Sequence, residues 1–254
     1  MPQPISWKEL VADTIRHLGG EASLKDITAS LAGNPYRPKT PTWRATIRRV
    51  VRQYSIFEPF KTVSGQAGYK LAELPAPTGV GLGETTDLHG EQQGMLLQLG
   101  ALCGYETFTN STDKVIRRFQ GEPISKLATV RNDADDLLAL PLEKMRNTDV
   151  MWMAEDSEGL YPKYAFEVEH STKVKSGLLR LLRIPDRFRA ELYVIGPDDE
   201  EAELFARYMR ESPFRQHASR FHFFRYADVK TFYESGLGFD KCRCEWGITL
   251  ASHS

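Results

Sequence analysis

The stretch from Leu74 to Leu88, Leu-Pro-Ala-Pro-Thr-Gly-Val-Gly-Leu-Gly-Glu-Thr-Thr-Asp-Leu, cuts this chain in two. Two prolines and three glycines without helical or strand periodicity leave no regular element able to run through it. The chain has 254 residues, enough for two modest domains. The cut therefore predicts a first domain over 1–74, a linker over 75–88 and a second domain over 89–254. The pattern Gly79-x-Gly81-x-Gly83 has the look of a phosphate loop, but no strand precedes it and the linker reading is preferred.

The same cut separates charge. The whole chain carries 33 Lys/Arg and 34 Asp/Glu. Residues 1–74 hold 11 basic and 6 acidic side chains, a net of +5; the remainder holds 22 and 28, a net of −6. Such a split suits one part that meets a polyanion and another that gathers carboxylates. No apolar run is long enough to span a membrane, and the start at Met1-Pro2-Gln3-Pro4 has no apolar leader, so a cytoplasmic protein is expected. The cysteines Cys103, Cys242 and Cys244 are too few for a disulfide framework, and Cys242-x-Cys244 lacks two further ligands at zinc spacing.

Before the linker the pattern is helical three times. Ser6-Trp-Lys-Glu9 is a capping box, followed by Trp7, Val11, Ile15 and Leu18 at helix spacing until Gly19-Gly20. Ser23 caps a second helix with Leu24, Ile27 and Leu31 inward, ended by Gly33. Thr40-Pro41 predicts the start of a third, with Thr as cap and Pro at the first helical position. Two short strands follow, around Phe57–Phe60 and Gly68–Leu71, so the arrangement reads as a winged helix-turn-helix. In the third helix Ile47, Val50, Val51 and Tyr54 share one side, while Arg44, Arg48 and Arg52 make an i, i+4, i+8 stripe widened by Arg49, Thr42 and Thr46. Guanidinium groups suit phosphate oxygens and guanine edges. A merely solvated face is the alternative, although no acid between Thr40 and Ser55 offers these arginines a partner.

Leu18-Gly-Gly-Glu-Ala-Ser-Leu-Lys-Asp-Ile27, Pro38-Lys-Thr-Pro41 and Gly68-Tyr-Lys-Leu71 together resemble the HARE-type winged helix-turn-helix over about residues 5–73. The resemblance implies DNA binding, with modified bases as targets. The DNA-facing set is then Lys39, Thr40, Thr42, Trp43, Arg44, Thr46, Arg48, Arg49 and Arg52.

After the linker, Met95, Leu96, Leu99 and Leu102 predict a helix from His89 to near Gly104, with a strand beginning at Tyr105. The stretch 110–146 is polar and shows no clear period. Asp149 leads into the apolar strand Val150–Met153; a turn over 155–159 and the strand Tyr164–Glu169 follow. Alternate strand residues share a face, so Phe166 and Val168 point to the core while Glu167 and Glu169 point together the other way. A hairpin would bring Asp149 to that face, and three acids there make a hard-oxygen site for Mg²⁺. Taken alone, Glu-x-Glu more often marks a solvated face. His170 beside the acids suits either a phosphate contact or a simple hydrogen bond.

The order helix, strand, Asp-led strand, Glu-x-Glu strand, helix around Ser176–Arg183 and strand Glu191–Ile195 resembles the PD-(D/E)xK, restriction-endonuclease-like nucleases over about residues 89–235. The fold implied is α+β in two domains, a winged helix and an α/β core with a mixed sheet. In the family's pattern an Asp precedes (Asp/Glu)-x-Lys; here Asp149 precedes Glu167-x-Glu169 by 18 residues, Thr148 stands for the usual proline, and Glu169 stands at the lysine position. The resemblance implies Asp149 and Glu167 as metal ligands. Glu169 then positions water or metal, or Lys173 or Lys175 reaches in. His89, Glu91 and Gln92 partly match a His-x-Glu-x-Gln helix start, which makes Glu91 a second-tier ligand.

These readings converge on a Mg²⁺-dependent DNA endonuclease, with Mn²⁺ able to substitute, resembling small type II restriction enzymes that cut DNA bearing 5-methylcytosine. Two cuts in a duplex imply a homodimer acting on double-stranded DNA, with no membrane partner. The rivals are a DNA-binding regulator whose nuclease-like half has become a dimerisation module, and a repair or junction-resolving nuclease.

Overall fold

The structure is a computed structural model that describes residues 6–35, 37, 40–62, 65–72, 87–131, 145–156, 159–170 and 174–246. Lys39, Lys173 and all of the linker but Asp87 and Leu88 lie outside the described residues. The chain divides into two compact units, Met1–Leu74 with Thr129–Leu137, and Pro75–Ala128 with Leu138–Ser254.

The first unit holds α1 (Trp7–His17), β1 (Glu21–Ser23), α2 (Leu24–Ala32), α3 (Trp43–Gln53), β2 (Phe57–Lys61) and β3 (Ala67–Leu71). The capping box is reciprocal: Glu9 N donates to Ser6 Oγ at 3.2 Å and Ser6 N to Glu9 Oε2 at 3.0 Å. Gly19 and Gly20 both take positive φ, which stops α1 at little steric cost. Leu18, expected inward, sits at the helix end and is exposed, because the chain has already left helical geometry there. The strands pair antiparallel in the order β1-β3-β2. Val11, Ile15, Ile27, Leu31, Ile47, Val51 and Phe57 fill the core.

Helix α3 starts at Trp43 rather than at Thr40-Pro41. Trp43 N donates to Thr40 O at 3.3 Å, so residues 40–42 form a turn first. A short piece from further along the chain belongs to this unit. Tyr54 bridges to Val130, Ser55 N donates to Thr129 O at 2.8 Å, and Arg131 N donates to Gln53 O at 2.9 Å.

The second unit is built on a five-stranded mixed sheet, β10-β9-β8-β7-β4, with β4 (Glu106–Thr109), β7 (Val150–Asp156), β8 (Gly159–Val168), β9 (Glu191–Gly196) and β10 (Phe221–Arg225). The pairs β4/β7 and β7/β8 are antiparallel; β8/β9 and β9/β10 are parallel. One face is covered by α4 (Leu88–Leu102) and the C-terminal helix (Tyr226–Glu245), which pack on each other. Met95, Leu96 and Leu99 meet Val150, Trp152, Phe166, Val168 and Ile195 there, and Trp152 Nε1 donates to Leu96 O at 2.8 Å.

Into the polar stretch after Thr109 the chain inserts α5 (Ser111–Ile116) and the short hairpin β5/β6 (Arg118–Phe119, Glu122–Pro123), elements without an apolar period to announce them. The connection from β8 to β9 carries α6 (Val174–Leu181), and that from β9 to β10 carries α7 (Asp199–Tyr208), whose acid-rich first turn follows the Asp198 cap. Among the described residues no helix is long and apolar enough to cross a membrane.

Candidate active site

The start of β7 and the end of β8 assemble the acids. Asp149 stands just before β7, and its Oδ2 accepts from Val168 N at 2.8 Å, which ties it across the hairpin to the end of β8. Thr109 Oγ1 donates to Asp149 O at 2.8 Å and fixes the backbone at the same point. Strand alternation places Phe166 and Val168 in the core cluster, and Glu167 and Glu169 leave by the other face. That face is not solvated: Glu167 is 0% exposed, Glu169 4% and Asp149 6%.

Buried carboxylates need compensation. It comes from Arg180 on α6, whose Nε donates to Glu167 Oε2 and whose Nη2 donates to Glu169 Oε1, both at 2.7 Å. Burial and the nearby Asp149 charge still push the Glu167 carboxyl well above its usual range, against the pull of Arg180. Burial raises Glu169 as well, again against the charge of Arg180. Burial works against the Arg180 cation, but its hydrogen bond and ion pair to Glu167 outweigh that and make it more basic than usual. Helix α6 comes this close because residue 177 is glycine. A Cβ there would lie 2.7 Å from Glu169 Oε1 and 3.2 Å from Glu167 Cβ. Tyr226 holds Glu169 from the backbone side, its hydroxyl donating to Glu169 O at 2.9 Å. His170 is exposed, with its ring stacked on Tyr226.

On the other side of Asp149 lies a group that the sequence did not disclose. Donor atoms of His89, Asp113 and Asp149 all lie within 4.8 Å of one another, and His89 Nε2 is 3.4 Å from Asp149 Oδ2. Asp113 Oδ2 accepts from Gln93 Nε2 at 2.7 Å and from Asn110 Nδ2, while Asn110 Nδ2 also approaches Asp149 Oδ1 at 3.4 Å. Burial opposes the Asp113 charge, yet the hydrogen bonds from Gln93 and Asn110, with His89 and Arg117 nearby, hold its carboxyl below the usual range.

Glu91 is buried on α4. Its Oε1 accepts from Gln120 N at 3.3 Å. At about 100° per residue, positions 89 and 93 share one helix face and position 91 points away from it, so it is His89 and Gln93 that approach Asp149 and Asp113.

The donor set suits a divalent cation. Asp149, Glu167 and Glu169 are hard oxygen donors, and Glu167 Oε1, on a fully buried side chain, has no hydrogen-bond partner among the described residues. A buried carboxylate oxygen left without a donor is costly, and a divalent cation would supply what is missing.

In the first unit Arg44, Arg48 and Arg52 are exposed and Arg49 is half-buried, and among the described residues none of the four forms an ion pair. Thr40 and Thr42 are exposed and Thr46 half-buried. Trp43 does not belong with them. It is buried, four residues ahead of Ile47 on the inward face, with Arg37 and Arg44 over its ring at 4.4 and 4.5 Å. Cys242 and Cys244 are exposed free thiols on the last helix.

The family model described as the type II restriction enzyme NmeDI C-terminal domain matches residues 75–236, well over half of the chain. No curated protein and no solved structure matches.

Proposed function

This chain belongs to the family of the type II restriction enzyme NmeDI C-terminal domain, and on that premise we propose that it is a Mg²⁺-dependent endonuclease that hydrolyses phosphodiester bonds of double-stranded DNA. The observation that carries this reading is the buried set Asp149, Glu167 and Glu169, with Glu167 Oε1 unpartnered among the described residues. In this reading the second unit is a PD-(D/E)xK core, and Asp149 and Glu167 hold the cation, with Mn²⁺ able to replace Mg²⁺. When bound, the cation polarises the scissile phosphate and lowers the pKa of the attacking water. Glu169 accepts the proton of that water at its carboxylate, a task its raised affinity for protons favours. Arg180 positions both glutamates through its two hydrogen bonds.

The first unit is read as a HARE-type winged helix that sets α3 against the duplex through Arg44, Arg48, Arg49 and Arg52, with Thr40, Thr42, Thr46 and Lys39 beside them. Cutting both strands calls for two such centres, hence a homodimer on DNA. The resemblance of the two domains together to small methylation-dependent type II enzymes adds a preference for DNA bearing 5-methylcytosine.

One observation favours a second reading. Arg180 already satisfies much of Glu167 and Glu169, as it would in a nuclease-like module that has lost its chemistry and serves a DNA-binding regulator. One experiment separates the two. Methylated and unmethylated plasmids are incubated with the wild-type chain and with Asp149→Ala, in Mg²⁺ and in EDTA. Cleavage only by wild type and only with Mg²⁺ supports the nuclease; DNA binding without cleavage of either plasmid supports the regulator. Equal cutting of both plasmids removes the methylation requirement alone.

A further inference from the structure

The C-terminal helix has two apolar faces, and its own unit covers one of them. Val229 and Tyr233 are buried, Leu237 packs against the core cluster, and a Cβ at Gly236 would lie 3.0 Å from Leu99 Cδ2. Turned by roughly a third of a circle from that face, Phe232, Ser235, Phe239, Cys242 and Trp246 follow at steps of three and four residues. All are exposed, the three aromatic side chains at 51, 60 and 80% in that order. We propose that this stripe is the surface on which a second copy of the chain docks, the two helices running antiparallel about a two-fold axis.

The stripe is complementary to itself. Large and small side chains alternate along it, and in an antiparallel pair each large side chain can be set against a small one. Phe239 then meets the partner's Ser235, and Phe232 meets the partner's Cys242. The same register carries Trp246 to the partner's Asp228, one step of four back from Phe232. Asp228 stands where two open grooves adjoin, of about 580 and 650 Å³, which share Phe224, Asp228 and Phe232 in their walls. The indole of Trp246 finds there an apolar slot for its ring and a carboxylate for its N–H.

Size and charge agree with a partner of the same kind. Phe224, also exposed, continues the apolar surface from the stripe onto the edge of the sheet. Withdrawing these four rings from water on both copies buries on the order of 1,000 Å², where specific protein interfaces begin. Lys230, Glu234, Lys241 and Glu245 fall on the far side of the helix, and Arg243, nearer the stripe, is held by Asp240. Interface centres are depleted of charge and rich in aromatic side chains in the same way. The surface deepens the homodimer invoked for cutting both strands and rests on that reading for its purpose, while the packing argument needs no hydrolysis.

Sedimentation equilibrium of the full chain over a concentration series, without DNA or metal, tests it. Wild type should reach twice the monomer mass. Phe239→Lys places a charge at the centre of the interface, and Ser235→Arg fills the small position that receives the partner's Phe239. Each change occurs twice in a two-fold pair, so each should raise the dimer dissociation constant by at least about 100-fold. Lys241→Glu, on the far side of the same helix, should leave it unchanged. Thermal melts identify a variant that fails to fold, in which case the other of the first two decides. A wild-type chain that stays monomeric overturns the proposal, as does a dimer that Ser235→Arg and Phe239→Lys leave intact or that Lys241→Glu weakens equally. A monomer whose Tm falls with Phe239→Lys also overturns it, because the stripe is then covered by its own chain. A dimer that weakens as expected yet leaves DNA intact with Mg²⁺ supports this surface and refutes the nuclease instead.

Discussion

Gly177→Ala tests the site through a single methyl group. The added Cβ would lie 2.7 Å from Glu169 Oε1 and 3.2 Å from Glu167 Cβ, against about 3.4 Å for ordinary contact. Two energies oppose each other. Alanine in place of glycine inside a helix gains about 1 kcal/mol, and an overpacked contact costs about 1–3 kcal/mol. The first atom met is the far end of a side chain, which can swing, so the cost falls at the low end and stability changes by no more than about 1 kcal/mol. For a unit of this size that is a Tm shift within about 4 °C. The carboxylate, however, must move by about 0.7 Å, and the bond it makes with Arg180 at 2.7 Å cannot follow unchanged. Misplacing a catalytic group by about 1 Å costs on the order of 10²-fold, so a loss of between about tenfold and 10²-fold is expected. Single-turnover plasmid cleavage at saturating protein, alongside thermal melts, reads both quantities. Wild-type cleavage in Gly177→Ala refutes the claim that Glu169 acts from the position described, and a collapse in Tm refutes the assignment of the strain to a movable side chain.

Two further outcomes follow from the charges. Glu167 has a folded pKa raised above its ordinary 4.5, so its contribution to stability is complete below that value and is lost as pH rises through the raised one. Glu169 has the same sign, whereas Asp113, held low, contributes stability that is present above its ordinary 3.8 and is lost only as pH falls below it. Metal-free protein should therefore lose Tm as pH rises above the ordinary 4.5 of a glutamate more steeply than Glu167→Gln, and Mg²⁺ should close the gap; parallel curves would contradict the burial account. In the first unit, alanine at Arg44, Arg48 and Arg52 together should raise the DNA concentration for half-maximal cleavage. For every phosphate that an arginine no longer neutralises, the salt slope should fall by about one unit. Unchanged half-saturation would move DNA recognition to the second unit.

Local signals carried much of this architecture. Ser6 with Glu9, and Ser23 with Asp26, mark helix starts because a cap bonds within three residues. The period of two in Phe166–Glu169 gives both the core residues and the acids that leave them. What stayed hidden depends on contacts far apart in sequence. Asp113 sits in a polar stretch and gains meaning only from Gln93, 20 residues earlier, and from Asp149. Arg180 and Gly177 look like ordinary helix residues until the helix is laid on Glu167 and Glu169. Trp43 was legible and misplaced: the spacing that buries Ile47 also buries the residue four positions ahead of it.

The segment Thr129–Arg131 has a consequence for how the polypeptide is made. Synthesis runs from the N-terminus, and a domain generally folds as a unit once its residues are out of the ribosome. Here Gln53 O, Ser55 N and the Tyr54 bridge find their partners in residues that emerge only after α4, β4 and α5. The N-terminal unit therefore cannot close on its own schedule. A fragment stopped at residue 74 would leave those backbone groups to water, and the arginine-bearing helix reaches its finished setting only when roughly half the chain has been translated.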